Sequence, residues 1–402
     1  MIARRQLLLA ALTGAAIGPT ARLAVAGPAA GSADDRRFVF VILRGGMDGL
    51  LSVPAIGDPA FADARGVLAQ FNGEPLKLDA TFALNPLLPQ LHAMYGRGEL
   101  AVLHAVGLPY RDRSHFDAQQ VLESGGTRPY ELASGWLGRA ISGSAGSQLK
   151  AVALETAVPL VLRGNTGSID VDTWAPSTLP EPSGDLVQRL ASIYRNDPAL
   201  SQALSRARGL REAPGMAANP SGMGGGGGAG GRGPAVALAR KAAEFMQRGS
   251  QVAVLELGGW DSHANAGNLN GATSNTLRTL DAMLDALREG LLTGDLWQRS
   301  VVVVATEFGR EVAVNGTLGT DHGTGGAAFV LGGAVRGGRV IADWPGLAKA
   351  QRHEGRDLRI TTDLRAALRP LLAEQLHVSR RALDHTVLPG SATVASLDLL
   401  RG

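Results

Sequence analysis

The side chains able to do chemistry in this 402-residue chain gather in a few short polar stretches. Asp261 and His263, in "GGWDSHANAG", offer a carboxylate and an imidazole, with Asn265, Asn268 and Asn270 close behind. The flanking glycines suit a loop presenting two ligands rather than a strand, where residues two apart share one face. Carboxylate plus imidazole suits Zn, Mn or Fe better than Ca. An Asx-type turn with a solvated histidine is the other reading. Asp321 and His322 are adjacent and bracketed by Gly319, Gly323, Gly325 and Gly326, whose missing side chains allow a ligand close to the backbone. Glu307 ends an otherwise apolar run, and its burial is costly unless a cation or hydrogen bonds compensate it. Either a metal or an ion pair with Arg310 meets that need.

In "YRDRSHFDAQQVLESGG", residues 110 to 126, Ser114 precedes a helix-like stretch. Its hydroxyl at a helix N-terminus sits where free N–H groups favour an anion, although a plain N-cap accounts for it equally. His115 and Asp117 are ligands, an acid–base pair, or residues that orient the loop. His92, His104, His353, His377 and His385 lack such neighbourhoods and receive no site.

Strands must position these groups. "RFVFVIL" (37–43), "ELAVLH" (99–104), "KAVALE" (150–155), "QVAVLEL" (251–257), "SVVVVAT" (300–306) and "AAFVLGG" (327–333) read as strands buried on both faces. Between them lie helical patterns, the clearest being Leu277, Leu280, Leu284, Leu287 and Leu291 after an N-cap at Ser274. This alternation predicts an α/β fold, a mostly parallel central sheet with helices on both faces. Ligands bind such sheets beyond the carboxyl ends of the strands. "RGGMDG", "GGWDSHANAG" and "EFGR" all follow strands there. "PSGMGGGGGAGGRGP", 220 to 234, predicts a flexible surface loop, and it lacks the ordered glycine spacing of a phosphate-binding turn.

Composition bounds the rest. With 45% hydrophobic and 19% charged residues and no apolar run of 18, the sequence excludes an integral membrane protein. Residues 1–26 have the order of an export signal: the pair Arg4 and Arg5, an apolar stretch from Leu7 to Ile17, and the cleavage site Ala24-Val25-Ala26. An N-terminal membrane anchor is the alternative. Cleavage removes Arg4, Arg5 and Arg22 and no acid, so 39 basic residues against 36 acidic become 36 against 36. A neutral chain without a basic stripe gives no case for nucleic acid as a partner. There is no cysteine, so stability comes from the core alone.

"FVFVILRGGMDGL", "RSHFDAQ", "GGWDSHANAG", "ATEFGR" and "GTDHGTGG", in that order after a twin-arginine leader, resemble the bacterial exported proteins grouped as the domain of unknown function 1501. That family is similar to the alkaline phosphatase and sulfatase superfamily, whose members hydrolyse phosphate or sulfate esters with divalent metals. The resemblance implies a twin-arginine signal peptide over 1–26, a single domain over 37–402, and a periplasmic or extracellular location. It implies a divalent metal (Zn, Mn, Mg, Fe or Ca) and a small-molecule ester or polysaccharide as substrate. Ser114 resembles the superfamily nucleophile, Asp261 and His263 an Asp and His ligand pair, and His322 the last histidine ligand. The strand-end Asp-His pair of the superfamily falls on Glu307 and Phe308, so only the carboxylate is kept. After the first strand Arg44, Gly45 and Gly46 come before the nearest acid, Asp48. The implied set is then Asp48, Asp261, His263, Glu307, Asp321 and His322 around metal, Ser114 and His115 in catalysis, and Arg44 or Arg310 neutralising the transferred group. The alternative is a non-catalytic binding or assembly protein that retains the fold.

Overall fold

Phe38, Phe40 and Ile42 belong to one apolar core while Val39, Val41 and Leu43 belong to another, and all six are fully buried. Successive strand residues point to opposite faces, so this strand is covered on both. The computed structural model describes residues 36–143, 149–154, 157–164, 170–174, 183–197, 232–267 and 271–401, with a few positions between 200 and 208. The segment expected to be a leader (1–26), most of the glycine-rich stretch, Asn268 and Asn270 lie outside the described residues.

The strands are β1 (Arg37–Leu43), β2 (Leu76–Lys77), β3 (Ala83–Leu84), β4 (Leu100–Gly107), β5 (Lys150–Ala153), β6 (Asp170–Thr173), β7 (Val252–Leu257), β8 (Ser300–Thr306), β9 (Gly326–Leu331), β10 (Arg339–Ile341) and β11 (Thr362–Asp363). Nine of them form one sheet in the order β10-β4-β9-β8-β1-β7-β5-β6, with β11 also paired to β4; β2 and β3 form a separate pair. β1 lies between β7 and β8 and runs parallel to both, Phe38 opposite Val252 and Arg37 opposite Ser300. β9 alone is reversed, antiparallel to both β4 and β8. The sheet is therefore mostly parallel, as the sequence predicts.

Helices Arg232–Gln247 and Ala272–Leu292 supply Ala239, Ala243, Leu277 and Leu284 to the core on one face. Helices Trp136–Gly143 and Arg365–Gln375 supply Trp136, Leu137, Leu368 and Leu371 to the other. The expected cap at Ser274 is corrected: the helix starts at Ala272, Gly271 is its N-cap, and Ser274 Oγ instead donates to the Gly267 carbonyl at 2.8 Å. Arg232–Pro234, expected in the glycine-rich loop, begins a helix. Among the described residues no helix is long and apolar enough to cross a membrane.

Two buried ionisable groups sit in this framework. His104 on β4 is fully buried, and burial pushes its pKa down to about 4 against the opposing bond to the Val53 carbonyl. Asp281 accepts the Gln90 and Leu91 N–H groups at the start of helix Pro89–Gly96, yet burial raises its carboxyl to about 6.

Reversal of β9 matters for the site. β1, β4, β7 and β8 share a direction, so their carboxyl ends lie along one edge of the sheet, and the amino end of the reversed β9 lies there too. Segments following four strands and the segment preceding a fifth thus meet at that edge without a long connection.

Candidate metal centre

Asp261 and His263 follow β7, Glu307 follows β8, and Asp321 and His322 precede β9. His115 is the first residue of helix His115–Ser124, which follows β4. Ligand atoms of His115, Asp261 and His322 all lie within 4.8 Å of one another, a group able to hold a metal ion. His322 Nε2 stands 3.0 Å from His115 Nε2 and 2.9 Å from His263 Nε2. Asp261 brings its carboxylate to 3.4 Å from His115 Nε2, 3.0 Å from His263 Nε2 and 3.2 Å from His322 Nε2.

The other ring nitrogens are all spoken for. His115 Nδ1 donates to Glu307 Oε1 at 2.8 Å, His263 Nδ1 to Asp321 Oδ1 at 3.0 Å, and His322 Nδ1 to the Arg113 carbonyl at 3.0 Å. Carboxylate and carbonyl oxygens only accept, so each Nδ1 carries a hydrogen and each ring turns its Nε2 inward, the atom that holds the lone pair when a ring is neutral. His115, Asp261 and His322 at this spacing make the donor set of a borderline-soft cation, and His263 Nε2 adjoins two of them.

Charge in the cluster is unevenly shared. Burial opposes the charge on Asp261, but the 2.6 Å bond and positive charge of Arg310 prevail and hold its carboxyl down to about 2. The bond to Glu307 raises His115, whereas burial lowers His322. The bond from His263 holds Asp321 below the usual carboxylate range.

Glu307 is fully buried on its side chain, but its partners are not those expected from sequence. Oε1 accepts from His115, from the Gly45 N–H at 2.8 Å and from Gln119 Nε2 at 3.0 Å, and Oε2 from Thr306 Oγ1 at 2.9 Å. Burial works against its charge, yet these bonds keep its pKa below the ordinary value. Glu307 and Asp321 therefore hold rings in place instead of reaching the converging nitrogens. The expected pair between Glu307 and Arg310 is corrected as well: Arg310 pairs with Asp261 and donates to the carbonyls of Gly45, Gly46, Trp260 and Thr320 at 2.6–3.0 Å.

Asp48 stands apart from the cluster. It caps the short helix Gly49–Ser52 through the Leu51 N–H and pairs with the fully buried Arg65 at 2.6 Å. Arg44 is held by Glu256 at 2.5 Å and Glu123 at 2.6 Å, so its guanidinium is engaged inside the fold. Ser114 Oγ accepts from the Asp117 N–H at 3.5 Å as the N-cap, and Asp117 accepts from Tyr110 at 3.2 Å. Gln119, Arg65 and the Arg113 carbonyl were not singled out from sequence, because nothing in their spacing distinguishes them from ordinary surface or helix residues.

Glycine is required where the loops touch. A Cβ on Gly319 would lie 2.2 Å from the His263 carbonyl carbon, and one on Gly323 would lie 2.4 Å from that of Arg310. The segments carrying His263 and His322 are thus pressed backbone to backbone.

Solved structures similar to this chain include these three. A sulfatase from Pseudoalteromonas sp. is 12% identical, covering 90% of this chain and 71% of that one, with a TM-score of 0.41. A putative sulfatase from Bacteroides thetaiotaomicron is 10% identical, covering 90% and 74%, with a TM-score of 0.42. The phosphonate monoester hydrolase of Agrobacterium radiobacter is 12% identical, covering 86% and 74%, with a TM-score of 0.36. No curated protein matches the chain. Residues 93–373, more than two thirds of the sequence and all the ligand positions described above, match the family model described as protein of unknown function (DUF1501), and the chain belongs to that family.

Proposed function

We propose that the protein is an exported metal-dependent hydrolase of phosphate or sulfate esters, with His115, Asp261, His263 and His322 as ligands of one divalent cation. The observation that carries this reading is the inward aim of three Nε2 lone pairs, forced by the acceptors on the three Nδ1 atoms. Three imidazoles and one carboxylate fit Zn, Mn or Fe, whereas Mg and Ca prefer oxygen donors. The substrate class rests on the five ordered motifs. The leader, with its paired arginines, supports export.

A bound cation supplies Lewis-acid polarisation of an ester oxygen. The chain itself does the remaining work. Ser114 Oγ, at the start of helix His115–Ser124, is the attacking hydroxyl: it bonds to phosphorus or sulfur as its proton passes to water, the alcohol leaves with the ester oxygen, and water then cleaves the serine ester, while first-turn N–H groups stabilise the developing charge. Arg310 keeps Asp261 ionised, while Glu307 and Asp321 fix the rings of His115 and His263. Side chains of Asp261 and His263 are 46% and 45% exposed, leaving the cluster open on one side as a catalytic centre must be.

One observation favours the second reading, a non-catalytic metal-binding or assembly protein. Arg44 and Arg310, the guanidiniums expected to meet a transferred group, are both committed to protein partners. Elemental analysis of the exported protein, then assays of aryl phosphates and sulfates after chelation and return of single ions, separates the readings. The enzyme reading expects about one cation per chain and turnover restored by Zn, Mn or Fe. Folded protein that takes up the ion and hydrolyses neither ester class leaves the second reading; protein that takes up no ion sinks the metal assignment.

A further inference from the structure

Among the described residues, the guanidiniums in contact with the centre are engaged in ion pairs. Arg310 pairs with Asp261, Arg44 with Glu123 and Glu256, Arg113 with Glu354 and Asp357, and Arg356 with Glu311. These are the guanidiniums that reach the ligands or their immediate supports: Arg356 donates to the His322 carbonyl, Arg113 presents the carbonyl that orients His322, and Arg44 touches Gln119. Within the cluster, three carboxylates (Asp261, Glu307, Asp321) face one guanidinium, so a divalent cation only cancels the charge already present. The surrounding pairs add five carboxylates against three guanidiniums. Arg111, four residues before His115, forms no ion pair among the described residues, and the carboxylate whose charge it feels is Asp363 at the end of β11.

Two exposed apolar side chains lie on the segments that carry the candidate ligands. Phe116, next to His115, is 82% exposed. Leu318 is 50% exposed on the segment that pairs with Ala264, next to His263.

We infer that the ester taken by this centre carries a single negative charge, as a sulfate monoester or a phosphate diester does, rather than the two charges of a phosphate monoester. The inference rests on the hydrolase reading above. A phosphate monoester is a dianion above its second pKa of about 6. Its second charge would meet a neutral-to-negative surround, where it is repelled instead of bound. The exposed Phe116 and Leu318 offer an apolar surface to the ester's organic arm instead.

The test uses the metal-loaded, full-length exported protein at pH 8. Calorimetry compares methyl sulfate and dimethyl phosphate with methyl phosphate, and turnover compares p-nitrophenyl sulfate and methyl p-nitrophenyl phosphate with p-nitrophenyl phosphate. Expected is a preference of about tenfold or more for the monoanions in binding, with the faster of the two monoanionic substrates telling sulfate from diester. Phe116→Arg, at a position exposed enough to accept it, places a cation on the rim and should narrow that preference several-fold. Binding of methyl phosphate as tight as that of the monoanions overturns the inference, whatever the turnover. Absence of turnover with all three substrates, alongside intact monoanion preference in binding, instead sinks the hydrolase reading and leaves the charge selection standing.

Discussion

His115 and Glu307, 192 residues apart in sequence, are joined by a 2.8 Å hydrogen bond in which the ring Nδ1 donates and the carboxylate accepts. A carboxylate that reads as a ligand in the sequence therefore orients the ring of a candidate ligand in the fold. The two roles have different consequences on substitution.

Glu307→Gln keeps the shape but replaces a charged acceptor, and loss of such an outer partner lowers metal affinity roughly 10–100-fold. His115→Ala removes a donor to the cation and should cost more. Competition with a graded series of chelators measures both. Equal losses in the two variants would make Glu307 a direct ligand after all.

Ser114→Ala distinguishes a nucleophile from a cap. As a cap alone, the residue is worth about 1 kcal/mol, with turnover nearly intact. As the attacking hydroxyl, its loss abolishes turnover while metal content stays at the wild-type level. Turnover within a few-fold of wild type would remove Ser114 from the reaction.

Arg310→Met leaves Asp261 and four backbone carbonyls without their donor. Breaking a buried ion pair costs on the order of 3–5 kcal/mol, and Asp261 is partly exposed, so the lower end is expected. Urea unfolding of the metal-free variant reads this directly. A shift well under 1 kcal/mol would show that water replaces the guanidinium without penalty.

His104 should impose a slope on stability in acid. Its folded pKa of about 4 lies below the ordinary value of 6.5, so the unfolded chain takes the proton first as pH falls. Its contribution is complete above pH 6.5 and is lost on descent through about 4, a swing on the order of 3 kcal/mol. Asp281 has the opposite sign: raised from 3.8 to about 6, its contribution is complete below 3.8 and is lost as pH rises through 6. Between pH 6 and 4 the two offset each other. His104→Gln, compared with wild type across this range by denaturant unfolding, should remove the His104 slope; parallel curves would mean that the imidazole takes up its proton at the same pH in the folded and unfolded chain.

The strands were legible because they are buried on both faces, and an apolar run such as Val301 to Val304 has few other uses. The loops carrying Asp261, His263 and His322 were legible because parallel strands deliver their carboxyl ends to one edge. His115 as a ligand was only one of several readings, since its partners follow other strands and no local spacing announces them. Arg44 and Arg310 misled for a related reason: a guanidinium near a strand end reads as a substrate clamp until its carboxylate partners, supplied from Glu256, Glu123 and Asp261, are placed in space.

The position of β1 between β7 and β8 sets a schedule for synthesis. β1 is made first among the strands, yet Phe38 must wait for Val252, and Arg37 for Ser300, before either edge is covered. At 5–20 residues per second, the gap of about 200 residues keeps this largely apolar strand without partners for roughly 10–40 s on the ribosome. A nascent chain in that interval is a template for edge-to-edge pairing with its neighbours. Slower translation lengthens the interval, so yield of soluble protein should depend on whatever shields Arg37–Leu43 until the last parallel strand of the central trio emerges.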